Sequence, residues 1–165
     1  MDILLEEQNP VERDWFSMLK EVVIPAPLKL VEVHAPTIEV YYWGPRPLEA
    51  SFGHIALRLI IYETDEEIYI SHWPKGQKTS LKYDVEAEGR DPDEYISIPP
   101  DMIYYNSVTR WWENARNGKY NSVSNNCAHV VYGALRSGCF PRVFIFNRPL
   151  VTPFEVKEWV KRQIG

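Results

Sequence analysis

Residues 53–62, GHIALRLIIY, carry a period of two. Ile55, Leu57, Leu59 and Ile61 fall on one face of an extended chain, and His54, Ala56 and Arg58 on the other. A strand so patterned has to pair with neighbours and have its apolar face covered. The polar TDEE follows, then IYISHW, which Pro74 ends. The two runs predict a β-hairpin whose loop exceeds two residues, so its register is open. Upstream, IEVYYWG (38–44) is rich in β-formers and predicts another strand. LKLVEVHA, ending with His34 and Ala35, is strand-like.

Helical periodicity surrounds these strands. In VERDWFSMLKEV (11–22), Val11, Trp15, Met18, Leu19 and Val22 form a stripe that Pro25 and Pro27 end. A helix is expected near 100–116, with Trp111 and Trp112 towards its end. Thr152 is placed to cap a last helix with Pro153 at its first position, and Phe154, Val156, Trp159 and Val160 supply its apolar positions. RVFIF (142–146) reads as a strand. Residues 75–100 are polar, contain prolines and concentrate acidic residues between Asp84 and Glu94, so a long connection is expected there. Helices mixed with antiparallel hairpins indicate an α+β fold. At 165 residues and 45 % apolar content, one domain is expected over 1–165, with an N-terminal helix and strands over 1–49 and the core over 50–165.

Charge and cysteine content narrow the function. A net charge of −5 without a basic cluster argues against binding to nucleic acid or to acidic membranes. The acidic opening, MDILLEEQNPVERDW, lacks the basic and apolar regions of a signal peptide. No apolar run reaches the ~20 residues of a membrane-spanning helix. Two cysteines, Cys127 and Cys139, are too few for a disulfide scaffold and predict a reduced, cytoplasmic setting.

NNCAHVVYGALRSG (125–138) predicts an amphipathic helix. Cys127, Val130, Val131, Ala134 and Leu135 share one stripe, so Cys127 faces the protein body. Asn126 or Asn125 is the expected N-cap, and Gly138 the expected residue past the end. Two readings of Cys127 follow. A free cysteine is a small residue that packs well in a core. A cysteine at a helix N-terminus also meets free N–H groups and the positive end of the helix dipole, which favour a thiolate and an oxyanion.

A nucleophilic cysteine needs a base. His129 lies two residues on and diverges from Cys127 around the helix. His34 sits in a poorly defined strand. His54 opens a strand directly after Gly53, and the small Ala56 on its face leaves room for a helix to approach. His72, near the end of the partner strand, is placed either to orient His54 or to pack under Trp73. Zinc binding by His54, His72 and a cysteine has no supporting spacing. No G-x-S-x-G or phosphate-binding glycine loop occurs.

GHIAL on a strand, a histidine at the end of the next strand, and NCAHVVYGALRSG on a later helix resemble the circularly permuted papain-like fold. That group includes the lecithin:retinol acyltransferase-like proteins and permuted relatives of the NlpC-like peptidases. The block from YISHWP through the tryptophan pair to NNC and the TPFEV helix is similar to cysteine-protease-like domains of bacterial toxins and effectors. The resemblance covers residues 50–160. It implies an antiparallel sheet packed against a helix that carries the nucleophile at its N-terminus. Cys127 would be that nucleophile, His54 its base and His72 the third catalytic residue. His54 and His72 are eighteen residues apart, farther than the acyltransferase hairpin spans, so Asp84, Asn126 and Asn125 are alternative orienting or oxyanion-binding candidates.

The activity implied is a thiol peptidase or amidase working through a thioester, with a protein or peptide substrate and neither cofactor nor metal. A lipid or thioester acyltransferase with the same dyad is the alternative. A non-catalytic interaction module is another, to which six tryptophans and ten tyrosines would lend aromatic patches. Delivery into a host cell is expected if the chain is an effector module.

Overall fold

The computed structural model describes residues 34–49, 51–138, 140 and 151–165. The helix expected over 11–22, the strand-like residues 28–33, Cys139 and the strand expected over 142–146 lie outside the described residues. The architecture is α+β. Strands β1 (Thr37–Trp43), β2 (His54–Ile61), β3 (Glu66–Ile70) and β6 (Glu94–Ser97) form one antiparallel sheet in the order β3-β2-β1-β6. Two-residue strands β4 (His72–Trp73) and β5 (Gly76–Gln77) form a small separate hairpin. The described helices are α1 (Leu81–Glu88), α2 (Tyr105–Ala115), α3 (Cys127–Ser137) and α4 (Pro153–Ile164). Because β1 lies between β2 and β6, the core sheet extends upstream of residue 50.

The two faces of β2 go where their side chains send them. Ile55, Leu57 and Leu59 join Val40, Ile70 and Ile96 in the main core. The stripe Cys127, Val130, Val131, Ala134 and Leu135 of α3 packs there, as do Val156, Trp159 and Val160 of α4. Burying a residue of this size contributes about 1.5–3 kcal/mol, so this face dominates the stability of the fold. Ala56, on the other face, joins Tyr41, Trp43 and Tyr69 in a smaller cluster against Leu81 and Val85 of α1. A helix does approach the Ala56 face, but it is α1 rather than the cysteine helix.

Helix α1 corrects the expectation of a structureless connection over 75–100, as do β5 and β6. Its buried residue is Asp84, so it offers no apolar stripe to periodicity. Gly89 ends it in the left-handed conformation (φ 68°), its N–H donating to the Val85 carbonyl at 2.8 Å. The hairpin strand also divides. β3 leaves β2 after Ile70, and His72–Trp73 turns away to pair with Gly76–Gln77.

Gly53 precedes β2 at φ 87°, and a Cβ there would lie 2.5 Å from the Trp43 carbonyl oxygen. Only glycine admits both the turn and that close approach. Gly138 follows the end of α3, as expected, with φ −77°. It is required for space, since a Cβ would meet Ile103 at 2.5 Å and Val108 at 2.7 Å. α4 begins as expected, with the Thr152 hydroxyl accepting from the Glu155 N–H and the Glu155 carboxylate accepting from the Thr152 N–H. Phe154, expected on the apolar face, is exposed instead.

Candidate active site

Three elements bring Cys127, His54 and Asp84 together. α3 presents Cys127 at its first position, buried. The Asn126 Oδ1 accepts from the His129 N–H at 3.1 Å, and the His129 ring closes a capping box on the Asn126 N–H. These bonds fix the first turn and leave the Cys127 N–H without an intrahelical partner. β2 presents His54 at its first residue, directly after the Gly53 turn. α1 presents Asp84 in its first turn, fully buried.

His54 Nε2 lies 3.2 Å from Asp84 Oδ2 and 3.0 Å from Ser71 Oγ. Cys127 lies near enough to the same ring for its charge to act on it. With Nε2 committed, Nδ1 is the nitrogen left for the thiol. The imidazole packs between two indoles, with ring centroids 5.4 Å from Trp43 and 4.5 Å from Trp73.

Asp84 receives four donors. The Tyr69 hydroxyl and His54 Nε2 approach Oδ2, at 2.7 and 3.2 Å; Ser71 Oγ and Trp73 Nε1 donate to Oδ1, at 2.9 and 2.7 Å. A buried carboxylate is tolerated only when it is paired and hydrogen-bonded, and this one is both. Burial, the largest influence, raises the Asp84 pKa. The His54 hydrogen bond and charge, with the Tyr69 and Ser71 hydroxyls, outweigh it and hold the carboxyl below its ordinary value. At His54 burial is again the largest influence and acts downward. The charge of Cys127, then the hydrogen bond that His54 donates to Asp84, reverse it and push the pKa up to about 9. The pair therefore favours imidazolium beside sulfur. A cysteine so placed can attack a carbonyl carbon, with His54 moving the proton and Asp84 holding the ring.

The other expected residues are placed differently. His72 is buried, but neither ring nitrogen has a hydrogen-bond partner, and its ring lies 5.4 Å from that of Tyr120. It does not orient His54; the side chains that do so are Asp84 and Ser71. Burial lowers the His72 pKa. Asn126 Nδ2 donates to the Ser122 and Val151 carbonyls at 3.0 and 2.9 Å, so this amide braces the helix start. Asn125 Nδ2 donates to the Lys119 carbonyl at 2.7 Å and pins the preceding turn. Both N–H donors of the Asn126 amide are used, so it does not hold an oxyanion. His34 is exposed, with its ring edge on Tyr62.

Sequence reasoning missed Tyr69, Ser71, Trp73 and Tyr120. Three of them share a period of two along the strand after the hairpin, which the register exposes. Leu57 pairs with Ile70 and Arg58 with Tyr69. Tyr69 therefore lies on the face of β2 that carries His54 and Ala56, and Ser71 continues that alternation one residue past the end of β3. Tyr120 has no such signal. Burial first, and the charge of Cys127 second, raise its pKa.

A cavity of about 210 Å³ opens beside Cys127, walled by Phe52, Gly53, Tyr120, Val123, Val151 and Pro153, among others. Phe52 is 81 % exposed and Val123 51 %. On the other side of Tyr120 lies an open groove of about 590 Å³, whose walls include His72, Trp73, Arg116 and Lys119. No described helix is long and apolar enough to cross a membrane. Comparison with known proteins brings no relative: no family model matches the chain, nor does any curated protein or solved structure.

Proposed function

We propose that the chain is a cysteine hydrolase of permuted papain-like fold, a peptidase or amidase acting on proteins or peptides. One observation carries the reading: a single buried imidazole meets Cys127 and, through its Nε2, a fully buried carboxylate. Cys127 Sγ attacks the scissile carbonyl carbon with its proton already held on His54 Nδ1. The oxyanion forms against the Cys127 N–H. His54 then protonates the leaving nitrogen, the C–N bond breaks and a thioester remains on Sγ. Water attacks that thioester, giving a proton to His54. The C–S bond breaks, the acid leaves and the thiol is restored. Asp84 keeps the ring oriented and stabilises the imidazolium throughout.

Acyl transfer, in which an amine or another acceptor replaces that water, is a second reading. The exposed apolar Phe52 and Val123 beside the cavity favour it. A cavity of 210 Å³, below the ~300–1,000 Å³ that encloses larger ligands, limits what sits directly beside Cys127 to a single side chain or a short acyl chain.

Alkylation of Cys127 by iodoacetamide, followed from pH 4 to 10, tests the reading. The wild type is expected to react at neutral pH at least about tenfold faster than His54→Ala. Identical pH–rate curves for the two proteins would mean that His54 does not activate the thiol.

A further inference from the structure

The two concavities differ in chemistry and meet at Tyr120, which walls both. Cys127 lines the smaller one only. An acyl group stays bonded to sulfur after the leaving group departs, so it has to occupy the space that Cys127 walls. That space is bounded by Phe52, Val123, Val151 and Pro153. An apolar cavity of about 150 Å³ holds benzene, so one of 210 Å³ suits a branched aliphatic or single-ring side chain.

The leaving group takes its proton from His54, whose ring packs on Trp73. Trp73 walls the open groove, and so do Arg116 and Lys119. Both cations are exposed, and neither pairs with a carboxylate among the described residues. The walls of the groove include no acidic residue. In a chain of net charge −5, an unneutralised basic groove beside the site sets the sign of what it accepts.

Building on the hydrolase reading, we infer that the substrate is a peptide with an apolar residue on the acyl side of the scissile bond and acidic residues on the leaving side. The acyl-side residue fills the cavity at Cys127, and the acidic residues lie along Arg116 and Lys119.

The experiment measures binding, so it stands apart from turnover. The Cys127→Ala variant is titrated, at 20 mM and at 300 mM salt, with N-acetyl alanyl-leucyl-aspartyl-aspartate amide. Two further peptides replace the aspartates by asparagines or the leucine by serine. At low salt the parent peptide is expected to bind about three- to tenfold tighter than the asparagine peptide, since exposed charges each add little and are screened by salt. The contrast shrinks at high salt and disappears in a variant that also carries Arg116→Gln and Lys119→Gln. The serine peptide binds at least threefold more weakly at either salt. Equal affinities for all three peptides, absence of binding, or a charge preference that survives removal of both cations overturns the inference. A wild type whose Cys127 is activated by His54 but which shows no such preference keeps the hydrolase reading and loses this one. The preference in a chain whose thiol is ordinary does the reverse.

Discussion

His54 and His72 are both 3 % exposed, and they lie in opposite chemical surroundings. His54 has Asp84 and Ser71 on one nitrogen and Cys127 near the ring. His72 has no hydrogen-bond partner on either nitrogen. Burial pushes both pKa values down; only at His54 do neighbouring charges reverse it. A buried histidine becomes a proton carrier through the charges fixed around it, and without them it is a neutral packing ring.

The contrast breaks most severely at Asp84. Asp84→Ala leaves Tyr69, Ser71, Trp73 and His54 without their shared acceptor. Unfolding free energy in urea is expected to fall by about 3–5 kcal/mol, with Asp84→Asn losing less. A fall below about 1 kcal/mol would show that the carboxylate does not organise this region.

Next in size is the response to pH. The His54 pKa rises from 6.5 to about 9 on folding. Its contribution is therefore fully present below the unfolded value and lost as pH rises through about 9. Such a shift corresponds to roughly 3 kcal/mol. Asp84 works in the other direction, stabilising above its unfolded pKa and losing that as pH falls through its depressed folded value. Subtracting the stability curve of His54→Gln from that of the wild type should reveal the alkaline loss, and a flat difference from pH 6 to 10 would remove it. The proposed hydrolysis should decline over the same alkaline interval as the imidazolium is lost.

A smaller effect separates the two influences on His54. The charge of Cys127 is the largest of those that raise its pKa. In Cys127→Ala, nuclear magnetic resonance titration of the imidazole should give a value lower by about one unit or more. An unchanged value would leave Asp84 as the sole cause. The smallest expected effect is at His72. His72→Phe keeps the ring and removes two unpartnered buried nitrogens, so unfolding free energy should stay level or rise by up to about 1 kcal/mol. A loss of 2 kcal/mol would show that His72 has a polar role after all.

How far the sequence could be read follows from this chemistry. Period and caps marked β1, β2, α3 and α4, because their buried faces are apolar and Asn126, Thr152 and Pro153 punctuate the helices. α1 was hidden because its buried face holds a carboxylate, and Leu81 and Val85 alone make no stripe. Only Ser80 and Gly89, at its two ends, signalled it. Cys127 and His54 were legible from a helix start and a strand start. The side chains that orient His54 turned on register. A strand places alternate residues on opposite faces, so a shift of one exchanges Ser71 and Trp73 for His72. Without the loop geometry, sequence had no means of choosing between them.

Asn126 ties two properties that enzymes often keep separate. Its one amide holds the first turn of α3 and, through the Val151 carbonyl, a wall of the cavity beside Cys127. Pushing that wall outward strains the cap on which the position of the sulfur depends. A ligand too large for the cavity therefore shifts the turn that carries Cys127 as it enters. Under the proposed function, discrimination by size should then be felt in turnover as well as in affinity.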